Sequence, residues 1–515
     1  MKTLLRTFVA GGFLLSGLLF LSGCNDNDPG PQLTGERMTF DLSPVSDPAV
    51  SGTVTFARRD DEQVLVTIQL SGTQPGASYP AHIHAHTAAA GGGIVLDLTP
   101  VDGSTGKSET VVGSLNDGTT VGYQDLLDFD GYLNVHLSET DLATLIAQGD
   151  IGQNELTDEQ KVYTLTPVVD PAVSGTATFI KRANGKALVV VALTGAQPGT
   201  YSSHIHANTI AQGGGIVLNL NSVDGTTGMA KTSVDTLNNG TPISYDELLA
   251  FNGYLNVHSG SSFLGQADIG GNELTGDTKV YTLTPVIDPN VSGTATFAKR
   301  KKGTTLVTVS MTNTQAGTYS SHIHANTIAD GGSIVINLKS VDGTTGKART
   351  SVDTLNNGEP ITYEQLLNFN GYLNVHSGSS FLGQADIGQN ELTGDNKVYT
   401  LNEVASSGVS GTATFAKRKS GKTLITLSLT GTTAGGDHPA HIHANNVQSG
   451  GGVVLTLKNV KGETGKSATS ANALNDATAI TYDQLLVYNG YINVHLSAAD
   501  LATLIAQGNI GSNAP

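Results

Sequence analysis

The chain has 515 residues and a formal charge of −17, from 27 Lys and Arg against 44 Asp and Glu. That acidic excess argues against a nucleic-acid surface or a face for anionic membranes, and its plainest consequence is solubility. The length exceeds a single domain, and a composition rich in Gly, Thr, Val and Leu, with no Trp and no long amphipathic helical pattern, points to short strands joined by turns.

At the N-terminus Lys2 and Arg6 precede an apolar run from Phe8 to Leu21, closed by Leu21-Ser22-Gly23-Cys24. This ending resembles a bacterial lipobox, which implies that residues 1–23 are a lipoprotein signal peptide and that Cys24 is lipidated. A lipid then replaces a transmembrane span and places the chain in the cell envelope, at the outer membrane or the cell surface. Residues 24–36, with Asn25-Asp26-Asn27-Asp28-Pro29-Gly30, read as a flexible tether. Cys24 is the only cysteine, so no disulfide is expected.

From about Arg37 the chain repeats itself, and the repeats predict four domains over 37–157, 158–277, 278–395 and 396–515. The second copy is the easiest to read. Its strand candidates are Lys161–Thr166, Gly175–Ile180, Ala187–Leu193, Tyr201–Ala207, Gly215–Leu220, Ala230–Thr236, Gly253–His258 and Leu264–Ile269. Asp224-Gly225 and Asn239-Gly240 are turn signals, and Ser244 caps a short helix ending near Asn252-Gly253. Such a unit is an all-β sandwich or barrel with a short helix over one end. The copies abut without a Pro- or Ser-rich linker, which predicts a compact rod.

Each copy carries three histidines in a fixed frame. They are His82, His84 and His136; His204, His206 and His258; His322, His324 and His376; and His441, His443 and His495. The second and third are always 52 positions apart, as from 84 to 136. Alternation along a strand puts both histidines of His82-Ile83-His84 on one face, and likewise Tyr132, Asn134 and His136, with Ile83, Leu133 and Val135 behind. Three neutral imidazoles suit copper or zinc, one ion per domain. The competing reading is that they hydrogen-bond to Tyr132, Asn134 and backbone groups.

After the third histidine the copies diverge. Ser138–Gly149 and Ser497–Gly508 read as capped helical turns, whereas the second and third copies run through Ser259–Gly265 and Ser377–Gly383, four residues shorter. Capping of the terminal repeats is the favoured explanation, and tuning of access to the histidines is the other. His86 stands where the other copies have Asn208, Asn326 and Asn445 and reads as a local substitute; His438, before Pro439, reads as solvated. Val223–Gly228 and Val341–Gly346 read as hairpin turns rather than calcium loops. Lys181-Arg182, Lys299-Arg300 and Lys417-Arg418 read as solvated edge charges.

The succession Ser-His204-Ile-His206, Gly214-Gly215-Ile216-Val217-Leu218, Gly253-Tyr254-Leu255-Asn256-Val257-His258 and Gly265-Gln266-Ala267-Asp268-Ile269-Gly270 resembles the CHRD domain, first named in chordin, and recurs four times. Animal-like copies tend to read Gly-Glu-Ile-Arg-Gly-Gln at the tail, and Gly265-Gln266-Ala267-Asp268 lacks that arginine. The growth-factor binding associated with chordin does not carry over. A fainter resemblance is to Cu/Zn superoxide dismutases, Greek-key β-sandwiches whose copper sits on a His-x-His strand and a later Val-His, like His82, His84 and His136. It implies a superoxide-dismutase-like fold and a copper site; the bridging histidine, the other zinc ligands, the disulfide and the active-site arginine have no counterparts.

No nucleophile motif, phosphate loop or paired-carboxylate pattern marks an enzyme. The expected function is therefore a lipid-anchored repeat protein with a binding or structural role at the cell surface, meeting a surface protein or glycan, with metal binding as an accessory. A copper-handling or dismutase-like protein is the alternative.

Overall fold

The computed structural model describes residues 30–514, so the expected lipidation at Cys24 lies outside the described residues. Every repeat forms eight antiparallel strands closed into a barrel. In the first these are β1 (Leu33–Pro44), β2 (Ser51–Arg59), β3 (Val64–Ser71), β4 (Ser78–Ala85), β5 (Ile94–Asp102), β6 (Lys107–Val112), β7 (Asp130–Ser138) and β8 (Asp141–Gly152), with helix α1 (Tyr123–Leu127) between β6 and β7. The order around the barrel is β1-β2-β3-β6-β5-β4-β7-β8, and Ser43 and Pro44 of β1 pair with Gln148 and Ala147 of β8 to close it. Because β3 pairs with β6 and β4 with β7, β4 lies across the barrel from the strand that precedes it in sequence. Closure leaves no open sheet edge within a repeat.

The other barrels open with the strands Leu156–Pro167, Leu274–Pro285 and Leu392–Glu403, so the domain starts expected at 158, 278 and 396 fall inside these strands. The chain forms two compact units, one of the described residues through 157 with 182–184, the other of 158–181 and 185 onward.

Period-two patterning explains the strands. Along β3, Val64, Val66, Ile68 and Leu70 are buried while the residues between them are not. Each core is pinned by a buried phenylalanine packed edge-on against an aromatic of the opening strand: Phe40–Phe56, Tyr163–Phe179, Tyr281–Phe297 and Tyr399–Phe415, with ring centroids 5.0–5.2 Å apart. The helix expected after Ser244 spans Tyr245–Ala250, with Ser244 and Glu247 forming a capping box. Among the described residues no helix is long and apolar enough to cross a membrane.

Three expectations are corrected. The segments Ser138–Gly149 and Ser497–Gly508 are not helical; they are hairpins leading into β8 and into the strand Asp500–Gly511. The capping signals are used, but inside the strand, where Asp141 accepts from the amide and hydroxyl of Thr144 while cross-strand pairing sets the backbone. Arg182, Arg300 and Arg418 are not solvated but completely buried, because each guanidinium meets an aspartate and a main-chain carbonyl. His438 is also buried and donates from Nδ1 to Leu496 O, 2.8 Å away, in the position that Tyr79 holds in the first barrel.

Asp224 and Asp342 behave as expected of turn residues. The Oδ1 of each accepts the amides two and three residues on, at Thr226 and Thr227 and at Thr344 and Thr345. His86 shares a left-handed φ near 68° with Asn208, Asn326 and Asn445, the conformation that favours asparagine at this turn.

Candidate metal centre

The histidines lie side by side on paired strands. In the first barrel β4 and β7 run antiparallel with His82 opposite Asn134 and His84 opposite Tyr132. Ile83, Leu133 and Val135 are completely buried in the core, so alternation turns His82, His84 and His136 to the outer face of the barrel. They are nevertheless sheltered: His84 and His136 are only 8% and 5% exposed. The loop after β4 covers the first, and the β7–β8 hairpin covers the second.

These covering segments also orient the rings. His84 Nδ1 lies 3.0 Å from Gly92 O, and Gly92 N donates to the hydroxyl of Tyr132, whose ring stacks on His84 at 4.9 Å. His136 Nδ1 lies 2.6 Å from Leu142 O. His82 Nε2 lies 3.7 Å from the carboxylate of Asp97, its partner on β5. His84 and His136 thus each donate one ring N–H to a main-chain carbonyl, which leaves the other nitrogen unprotonated and turned toward the cluster in the neutral ring. This is how proteins fix the tautomer of metal-ligating histidines.

The remaining nitrogens have little else to bond. His82 Nδ1 and His136 Nε2 are buried without a hydrogen-bond partner, and His84 Nε2 has only Asn134 Nδ2, at 3.4 Å. One nitrogen from each of the three rings lies within 4.8 Å of the others. Burial first, and then the neighbouring His136, hold the His82 imidazole below its ordinary pKa, against a smaller opposing pull from Asp97. Burial likewise lowers His136, with the Leu142 carbonyl opposing. Neutral imidazoles with bare, converging nitrogens form a donor set that fits a transition-metal ion.

His441, His443 and His495 of the fourth barrel form the second triad that meets the same 4.8 Å condition, and among the described residues these two triads alone do so. There His443 Nδ1 faces Gly451 O at 3.0 Å, His495 Nδ1 faces Leu501 O at 2.7 Å, and His441 Nδ1 approaches His495 Nε2 at 3.1 Å. In the inner barrels His204 meets His258 at 3.0 Å and His322 meets His376 at 3.1 Å, while His206 and His324 face Gly214 O and Gly332 O. The structure therefore brings all twelve sequence-selected histidines into four clusters, two of them with metal-ready geometry.

Sequence reasoning missed the carbonyls of Gly92 and Leu142 and the carboxylate of Asp97. Backbone groups leave no composition signal. Asp97 could have been found only by setting the β4–β5 register, because the equivalent residues are Asn219, Asn337 and Thr456.

Residues 153–265 and 389–500 match the family model of the CHRD domain. No curated protein matches the chain. Three chains of solved structure match, among them one titled "Biofilm associated protein - BSP domain", aligned over 93% of this chain and 96% of that one at 10% identity and a TM-score of 0.14. The two CHRD matches fall on the second and fourth barrels, and the first and third repeat their strand order and histidine frame. The chain thus carries CHRD domains at residues 153–265 and 389–500, within a run of four tandem eight-stranded units.

Proposed function

We propose that this chain is a lipid-anchored CHRD-repeat protein of the cell envelope whose binding role is the capture of copper or zinc at histidine triads. The observation that carries the metal reading is the first barrel's triad, where main-chain carbonyls stand behind His84 and His136, the Asp97 carboxylate lies 3.7 Å from His82, and two buried nitrogens in front have no partner. Held there, the ion would be bound by His82, His84 and His136, with imidazole-only ligation selecting copper or zinc over magnesium or calcium. Display at the envelope sets the chain against surface proteins or glycans, and its charge of −17 opposes nucleic acid.

Calorimetric titration of the mature chain with Zn²⁺ or Cu²⁺ tests this. Saturable binding is expected at neutral pH, and it is lost when His84, His136, His443 and His495 are all replaced by alanine, with the β-sheet circular dichroism retained. Unchanged uptake by that variant would show that metal binds elsewhere. Protons compete for the same nitrogens, so binding should weaken as pH falls below about 6. Lowered pKa values at His82, His136, His204, His322 and His441 keep these rings neutral above that range.

The anchor is tested separately. Cys24→Ser should move the protein from the membrane fraction to the soluble one, or leave an unprocessed precursor, as read by fractionation and intact mass. Continued detergent-dependent membrane association at the mature mass would count against a lipid on Cys24.

A further inference from the structure

We infer that the chain takes two metal ions, one in the first barrel and one in the fourth, and that the hairpin after the third histidine decides which barrels bind. This rests on the metal-capture reading and refines the expectation of one ion per domain.

The four sites share the setting of their second histidine. His84, His206, His324 and His443 all face the carbonyl of a glycine eight residues on, at 2.9–3.0 Å, and all stack on a tyrosine at 4.8–5.0 Å. The third histidine differs. In the outer barrels its Nδ1 reaches the carbonyl six residues on, Leu142 or Leu501. In the inner barrels the hairpin is four residues shorter, and Nδ1 of His258 or His376 folds back on the carbonyl two residues on, Gly260 or Gly378, each at 2.8 Å. Both glycines sit at φ near 57°, so the tight turn requires them.

A different acceptor turns the ring. The planes of the first and third imidazoles meet at 59° and 64° in the outer barrels but at 34° and 35° in the inner ones. Phe263 and Phe381 then pack against the third imidazole at 5.8 and 5.9 Å and hold it in that orientation. The outer barrels place Leu145 and Leu504 at this register position. The short hairpin also leaves the third histidine less covered, whereas His136 and His495 are 5% and 6% exposed. The first and third rings bond to each other in both inner barrels and also in the fourth, so it is the tilt and cover of the third ring that separate the two kinds of barrel.

The experiment counts ions. Mature full-length chain is loaded with Zn²⁺ alone and, separately, Cu²⁺ alone, dialysed, and analysed for metal per chain. Two ions are expected. His136→Ala and His495→Ala should each lower the count by one, and His258→Ala and His376→Ala should leave it at two. Exchanging Ser259–Ser262 for the residues Leu137–Thr144, together with Phe263→Leu, should raise the count to three. A count of zero would overturn the metal reading itself. A count of four, or a loss on His258→Ala, would keep the metal reading and overturn the role of the hairpin. If the exchanged hairpin fails to fold, the four alanine variants still decide.

Discussion

Replacing Arg300 by methionine is expected to destabilise the contact between the second and third barrels by about 3–5 kcal/mol, the usual result of stripping one partner from a buried ion pair. Arg300 ends the strand Ser292–Arg300, is completely buried, and donates through Nη1 to Asp268 Oδ2 at 2.8 Å and to the carbonyl of Asn272. Asp268 lies in the strand Ser262–Ile269 of the preceding barrel and, through Oδ1, accepts the amide of Ile210. Without the arginine its carboxylate is left nearly dry and unpaired. Arg418 meets Asp386 and Asn390 in the same way one repeat later. The last repeat supplies the control: Asn509 replaces the aspartate and still accepts the amide of Val447, at 2.9 Å. A carboxylate is therefore needed for the arginine and not for the loop. Arg300→Met combined with Asp268→Asn should recover most of the loss, since removing both charges removes the unpaired one. Amide exchange across residues 262–312 reads this locally. Equal protection in the single variant and the parent would mean that the pair contributes nothing.

The same residues show how much of this protein was legible in its sequence. The strand ends of the second repeat lie no more than five residues from their expected positions, because Val, Ile, Leu and Phe alternate with polar residues at period two and Gly and Asn mark the turns. The histidine clusters were legible for the same reason, since alternation alone sends His82 and His84 to one face. What was hidden depends on contacts between segments distant in sequence. Arg300 looks like an edge charge until Asp268, 32 residues away, is brought beside it. The stretch Ser138–Gly149 has a helix-like local signal, and pairing with β7 overrides it. The unequal hairpins were visible as a difference in length, yet their effect on the third imidazole appears only once Leu142 O and Gly260 O are seen at its Nδ1.

Gly92→Ala is expected to remove the first-barrel metal site. Gly92 presents its carbonyl to His84 and its amide to the Tyr132 hydroxyl, so one peptide segment positions both the ligand ring and the ring stacked on it. A Cβ there would lie 1.9 Å from the carbonyl oxygen of Ala85, and that oxygen belongs to a paired strand that cannot retreat. The loop must move instead, taking the acceptor away from His84 Nδ1 and freeing the ring to turn its Nε2 out of the triad. Loss of the His84 and Tyr132 hydrogen bonds should cost about 1–3 kcal/mol of stability in the apo protein. In the metal-loaded protein the ion count should fall from two to one. Gly93→Ala is the matched control, because a Cβ on Gly93 meets nothing within 4 Å. Zinc content and thermal melting of the two variants, side by side, check both effects. If Gly92→Ala binds and melts like Gly93→Ala, the loop does not orient His84, and the tautomer that leaves Nε2 bare has no structural support.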